Sequence, residues 1–470
     1  MRTAGMGGMG DGGWGMGTVR RSAIVLGAAA GLLGGMGETG QSLIPHPPSP
    51  IPIPIPAVDT STSSFDVGGV KVVHRKVTAN NVVAANLYLL GGTRQVTAEN
   101  AGIEMLLLEA SERGTKRYPK DALRRKMASL GSAVIVGPTQ DWTVLGLRTN
   151  VAGFDSTWML MADRLMRPTL DSEEVEFVRS QLVSAVRQRR ESPDALVEYL
   201  ADSVAFAGHP YGLPATGTEQ SLSRISLAEL RRYQAEQTVT SRMLLVVVGN
   251  VERARIERLV RATLAQLPRG SYAWTTPPAP PDTLRSTVVV EPRQLPTNYI
   301  QGYFPGPPAT SPDYQALRLA AAALSGRLYG EIRTRRNLTY AVNAPFEQRA
   351  LSAGGLYVTT AAPDTVLAIM RAEIADLRRD RISEGGLEQL VQQFITEYFL
   401  DNETNSDQAN FLARAQLYRG DWRAADRFVD ELRQVTPEDI RRVADKYMRN
   451  VRFAYVGDPR RLTRAYIERF

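Results

Sequence analysis

"SLAELRRYQAEQTVTSRMLLVVVGN", residues 226–250, has an echo about 210 residues further on in "TPEDIRRVADKYMRNVRFAYVGD", residues 436–458. Each segment opens on Ser or Thr, with an acidic residue three places on: Glu229 in the first and Asp439 in the second. That spacing predicts a capping box in the first half and an Asp variant of it in the second. The hydroxyl accepts from one unpaired helix amide and the carboxylate from another. Each segment continues through an amphipathic helix containing Arg-Arg and ends in a β-prone run closed by Val-Gly-Asn or Val-Gly-Asp. A second pair keeps nearly the same offset, "TLDSEEVEFVRSQLVSAV" (169–186) against "RISEGGLEQLVQQFITEY" (381–398). Two correlated matches predict duplication of one α/β unit; a chance likeness of amphipathic helices is the competing reading.

Working outward, each half begins with strand-like runs. They are "FDVGGVKVVHRK", "NVVAANLYLLGG", "SAVIVGPT" and "WTVLGLRTN" in the first, and "STVVVEPRQ", "NYIQGYFPG", "TYAVNAPFEQ" and "AGGLYVTTAAP" in the second. Long helical patterns follow, then a returning strand. That order predicts an α+β fold, two homologous α/β sandwich domains, rather than a doubly wound parallel sheet. The proline-rich "TTPPAPPDTLRS" (275–286) reads as the linker between them. The expected division is a signal or anchor segment over 1–40, a Pro-rich linker over 41–63, a first domain over 64–274, a linker over 275–290 and a second domain over 291–470.

The chain has 470 residues, a net charge of +7 and no cysteine. Disulfides, thiolate metal sites and cysteine nucleophiles are therefore excluded. Acidic residues are interspersed with the arginines, no block of five or six like charges occurs, and no aromatic-basic signature accompanies the charge, so no nucleic-acid partner is expected. Only three histidines exist, His46, His74 and His209. At the N-terminus, Arg20-Arg21 precede "SAIVLGAAAGLLGG", which reads as an export signal cleaved between about residues 30 and 57. An exported, periplasmic or extracytoplasmic location follows. The paired arginines suggest twin-arginine export, although the residues after them fit that pattern poorly. An uncleaved anchor holding the chain to a membrane and a misassigned start are the alternatives. "IPHPPSPIPIPIP" (44–56) is a semi-rigid, extended linker.

The order "NAGIEMLLLE…GTKRYP", "SPDALVEYLADSVAFAGHPYG", "LSGRLYGEIRTRRNLTYAV" resembles the pitrilysin/insulinase/mitochondrial processing peptidase family, from about residue 64 to the C-terminus. The resemblance implies paired homologous domains forming a clamshell around a peptide chamber. Active members carry H-x-x-E-H on a helix corresponding to the one that reads as opening at Asn100; its histidines bind zinc and its glutamate is the general base. A further zinc-binding glutamate lies on a later helix. Ungapped matching from Ala101-Gly102 to Gly114-Thr115 puts Met105 at the first histidine, Leu108 at the base and Glu109 at the second histidine. Matching the later helix on Pro193 puts Ser184 and Ala185 at its acidic pair.

Catalytic zinc needs about three imidazole, carboxylate or thiolate ligands. Here only Glu109 is a hard donor, and a lone acid ending an apolar run is more often solvated or ion-paired. Met105 is a soft thioether. His46 falls in a linker, His74 in a strand and His209 in the "HPYG" turn. Loss of a general base alone costs about 10²–10⁴ in rate. The chain is thus expected to bind no cofactor and to be no peptidase by itself.

The resemblance also implies a substrate-gripping arginine and tyrosine seven residues apart, which fall on Arg333 and Tyr340; without it, the two read as a solvated helix residue and a core strand residue. Two-subunit members pair a zinc-bearing chain with a metal-free chain. The expectation is therefore a non-catalytic subunit of a heteromeric zinc endopeptidase acting on unfolded peptides, with zinc in the partner subunit. A structural or peptide-binding scaffold of the same fold is the alternative, and a self-sufficient peptidase with a relocated metal site a third reading.

Overall fold

The computed structural model describes residues 61–281 and 285–470. The export segment, His46 and the first proline-rich linker lie outside the described residues. The first sheet contains β1 (Thr62–Val67), β2 (Val70–Lys76), β3 (Val82–Leu90), β4 (Ala133–Pro138), β5 (Trp142–Asn150) and β6 (Met243–Gly249), in the order β1-β2-β6-β3-β5-β4. The second contains β7 (Thr287–Pro292), β8 (Asn298–Pro308), β9 (Thr339–Asn343), β10 (Phe346–Glu347), β11 (Leu351–Thr360) and β12 (Arg452–Gly457). Its order is β10-β11-β8-β12-β7, with β9 also on β11. The β2-β6-β3-β5 and β7-β12-β8-β11 runs correspond strand for strand. In each, the returning strand lies parallel to the first (Val73 opposite Val246, Val289 opposite Ala454) and antiparallel to the second. The duplication read from the two quoted segments is therefore a duplication of topology.

Local differences have simple causes. "FDVGGVKVVHRK" is a hairpin, not one strand, because Gly68 and Gly69 take φ values of 61° and 85° that only glycine adopts cheaply. Thr436 and Asp439 close a reciprocal capping box. In the first half Ser226 accepts from the Glu229 amide at 3.1 Å, and no returning bond from Glu229 completes the box.

Both faces of the first sheet are buried. Val83, Ala85, Leu87 and Leu89 of β3 meet Phe154, Trp158 and Met161 of helix Phe154–Met166, together with Ile256 and Val260 of helix Arg253–Ala262. Tyr88 and Leu90 point the other way, into Leu412, Ala413 and Tyr418 of helix Asn405–Arg419, which belongs to the second half of the sequence. The exchange is reciprocal: helix Pro193–Ala205, from the first half, lays Leu196, Val197 and Ala201 against Tyr303, Ala353, Ala454 and Val456 of the second sheet. Full burial of each leucine or valine contributes about 1.5–3 kcal/mol, so each half completes the core of the other. All of this lies in one compact unit.

A buried polar hub sits where the halves meet. The Asp141 carboxylate, 1% exposed, accepts from the hydroxyls of Tyr211 and Tyr418 (2.8 Å to Tyr418) and from the Ala350 amide at 3.0 Å. Beside it, Arg349 spans both oxygens of Asp202 at 2.9 Å. Asp202 and Glu347 hold its guanidinium charged despite burial, raising its pKa.

Candidate functional site

The apolar stretch that opened the resemblance forms helix Ile103–Ala110, continued by one 3₁₀ turn, Ser111–Arg113. Asn100 does not cap it: its Oδ1 takes the Thr97 amide at 2.8 Å, and the helix starts after Gly102 instead. Gly102 has a φ of 89°, and a Cβ there would stand 2.8 Å from the Gly217 backbone, so the entry to the helix requires glycine.

Met105, Leu108 and Glu109, at i, i+3 and i+4, share one helix face. Leu108 is 1% exposed and lies in the apolar cluster under the first sheet. Its carbonyl accepts from Arg164 Nη2 at 3.0 Å and from Ser111 Oγ at 2.6 Å. Arg164 is wholly buried and also reaches Glu112 at 3.1 Å. Met105 and Glu109 are half-buried. Burial pushes the Glu109 carboxyl above the usual range, against a smaller opposing pull from Arg164. Ser184 is exposed and Ala185 half-buried on helix Ser172–Glu191. That helix packs against Ile103, Leu106 and Leu107 through Val175, Val178 and Val186. The fold thus brings all five positions onto two facing helices while supplying one hard donor among them.

Neither described histidine lies in that cluster. His74 is buried in β2, where burial lowers its pKa. His209 accepts the Tyr211 amide on Nδ1 (3.1 Å), so its proton sits on Nε2 and donates to the Pro278 carbonyl at 3.0 Å, pinning the second proline-rich linker. Among the described residues no three His, Cys, Asp or Glu side chains converge as a metal site would require. This donor set does not fit zinc.

Sequence reasoning missed Glu104, the neighbour of Met105. It is buried with Arg242 at 3.0 Å and the Tyr233 hydroxyl at 3.2 Å, fastening the helix to the return into β6. Nothing local marks it, since its cation lies 138 residues away.

Leu108→Glu, which restores only the base position, is expected to destabilise the chain by about 3 kcal/mol or more, because an unpaired carboxylate would enter an apolar cluster. Urea unfolding measures this, and an unchanged midpoint would show that water reaches the position. Glu109→Gln is expected to stabilise above about pH 5 and to make no difference well below pH 4. The raised folded pKa leaves both states protonated in acid, and stability then falls as pH rises through the unfolded value near 4.3 toward the folded one. Thermal midpoints across that range check it; a constant difference at all pH values would refute it.

In the second half, helix Asp313–Leu328 passes into a π-helical turn, Tyr329–Arg335, anchored by buried Ile332. Such turns are rare and often mark functional positions. Arg335 and Arg336 both pair with Glu331. Arg333 instead donates to the Thr339 carbonyl at 2.9 Å and the Asn337 amide oxygen at 3.3 Å, and its guanidinium lies 4.6 Å from the Tyr340 ring centre. Asn337, at a φ of 51°, turns the chain back so that the two side chains meet. Tyr340 is 86% exposed, so it is not the core strand residue that an isolated reading of β9 predicts.

The family model described as Insulinase (Peptidase family M16) matches residues 71–219, and that described as Peptidase M16 inactive domain matches 224–394. The chain belongs to peptidase family M16. Among curated relatives it is similar to an uncharacterised zinc protease of Mycobacterium tuberculosis, with 24% identity over 80% of this chain and 88% of the relative. It is also similar to the mitochondrial-processing peptidase subunit beta of Blastocladiella emersonii, with 23% identity over 81% and 84%. Solved structures share the fold. A peptidase M16 inactive domain from Pseudomonas fluorescens superposes with a TM-score of 0.76 at 19% identity, covering 84% of this M16 chain and 98% of that one. The periplasmic protease PqqL of Escherichia coli gives 0.72 at 15% identity, over 86% and 46%.

Proposed function

We propose that this M16 chain is the non-catalytic, substrate-binding subunit of a heteromeric zinc endopeptidase acting on unfolded peptides. One contrast carries the reading. Met105, Leu108 and Glu109 on helix Ile103–Ala110, with Ser184 and Ala185 on the helix packed against it, include one hard donor, whereas Arg333 and Tyr340 are stacked together with the tyrosine open to solvent. A chain that had become only a scaffold would have no need to keep an exposed tyrosine on an arginine held by a π-helical turn. The guanidinium offers forked donors to peptide carbonyls and the phenol one more. The unpaired edge of β4 offers backbone groups to an extended chain. Zinc and the general base would come from a partner chain of the same family. The likeness to a relative named as a subunit supports partnership, and the likeness to a periplasmic protease supports an extracytoplasmic location.

The test is cleavage of a quenched unstructured peptide by this protein, by a zinc-bearing M16 partner, and by their mixture. Activity confined to the mixture supports the proposal. Full activity of the partner alone, unchanged by adding this chain, would leave the non-enzymatic scaffold or peptide-binding reading in its place.

A further inference from the structure

We propose that the cationic segment of Lys116, Arg117, Arg125 and Lys126, which leads into edge strand β4, selects acidic segments in the peptides this chain holds. The inference rests on the peptide-binding reading above.

Between residues 113 and 126 the chain carries seven lysines and arginines against one aspartate. Interruptions by Tyr118, Pro119 and Asp121 hide the cluster from any search for a run of like charge. The fold then sorts these cations. Arg113 and Lys120 share Glu174 at 2.6 and 3.0 Å, and Arg124 takes Asp121 at 2.7 Å. The remaining four are exposed and form no ion pair among the described residues. Their backbone is held in place: the Thr115 amide donates to the Tyr118 carbonyl and the Lys116 amide to the Arg167 carbonyl, both at 3.0 Å. Helix Asp121–Ser129 buries only Leu123 fully, so most of its surface faces solvent. Four exposed cations within eleven residues, of which Arg125 alone has Asp121 as a nearby counter-charge, raise the local potential, and an anionic partner lowers it.

The geometry points to a peptide. A short turn after the helix enters β4, whose single strand neighbour is β5, with Ala133 and Ile135 exposed (Ile135 37%). Arg125 and Lys126 therefore stand on the turn leading into an open, partly apolar strand edge, tied to it where the Met127 carbonyl accepts the Ser132 amide at 3.1 Å. An extended chain whose backbone pairs along that edge would bring its carboxylates beside them. A membrane-seeking helix would instead carry a broad apolar face opposite its charges, which this helix lacks.

The experiment measures fluorescence anisotropy of labelled, unstructured peptides of equal length, rich in Asp and Glu, uncharged, or rich in Lys and Arg. They are mixed with the chain alone, without partner or turnover. The acidic peptide is expected to bind about tenfold or more tighter than the uncharged one at low salt, from several exposed pairs acting together. The preference should shrink toward parity as salt shortens the screening length to about 3 Å near 1 M. In the combined variant Lys116→Gln, Arg117→Gln, Arg125→Gln and Lys126→Gln the preference should vanish while uncharged-peptide affinity and the thermal midpoint hold. The salt dependence of the unaltered chain tests the same point if the variant folds poorly. Uncharged and acidic peptides binding equally, or a preference surviving in a folded variant, would overturn the proposal. So would phosphatidylserine vesicles binding through these four residues with no discrimination among peptides. If no peptide binds at any charge, the peptide-binding reading itself has failed.

Discussion

Tyr340→Phe is expected to lower turnover by the reconstituted pair about 10²–10³-fold, the usual consequence of removing one preorganised donor to developing oxyanion charge. The substitution is selective. Tyr340 is 86% exposed, so losing its hydroxyl removes no core contact, and the phenylalanine ring still supports the Arg333 guanidinium lying 4.6 Å away. Arg333→Ala acts differently. It removes the stack and the donor to the Thr339 carbonyl, so β9 loses one of its ties to the π-helical turn. It is expected to raise KM about tenfold as well as lowering kcat. Arg333→Lys should rescue poorly, because an ammonium neither stacks as a plane nor presents a fork. Steady-state kinetics on the mixture separates the outcomes. A fall in kcat at constant KM for Tyr340→Phe places the hydroxyl at the reacting carbonyl. A rise in KM alone makes it a binding group. No change in either parameter would remove the pair from the site.

How much of this was legible depended on whether the signal was local. The duplicated topology was legible because capped helix starts and returning β-branched strands are written in neighbouring residues. Both quoted segments became a helix followed by the strand that closes its sheet. That Met105, Leu108 and Ala185 offer zinc no hard donor is a property of residue type and needs no structure. Exchange of helices was not legible. The apolar positions of "NSDQANFLARAQLYR" state that helix Asn405–Arg419 is buried, and contain nothing about which sheet buries it. Exposure of Tyr340 was equally hidden, because alternation in a short strand leaves open which face is outward and whether a neighbour covers it. Glu229 followed the capping pattern without closing the box, showing that the spacing permits the return bond and does not compel it.

Asp141 was the least visible of the important residues, because "GPTQDWTV" reads as an ordinary turn in which aspartate is a routine solvated choice. Its side chain instead joins the β4–β5 turn to Tyr211 after the Pro193–Ala205 helix, to Tyr418 on the exchanged helix, and to the Ala350 amide ahead of β11. Burial and the adjacent carboxylate push the hydroxyl pKa values of Tyr211 and Tyr418 upward, so both stay neutral donors. Trp142 stacks on Tyr418 at 5.4 Å and keeps water from the hub. Asp141→Ala is therefore expected to cost about 3–5 kcal/mol, since it leaves two phenols and an amide without an acceptor in a site that cannot rehydrate. Asp141→Asn should cost less, about 1–3 kcal/mol, because the amide oxygen replaces one acceptor while its nitrogen opposes a donor. Tyr418→Phe combined with Asp141→Ala should cost less than the sum of the two, as one stranded donor is removed along with its acceptor. Denaturant unfolding followed separately by Trp fluorescence and far-ultraviolet circular dichroism tests the energetics and the architecture together. Because each sheet is covered by a helix from the other half, both probes should shift to the same lower midpoint. A small effect confined to one probe, with two separated transitions, would mean that the halves fold independently and that the hub merely decorates their contact.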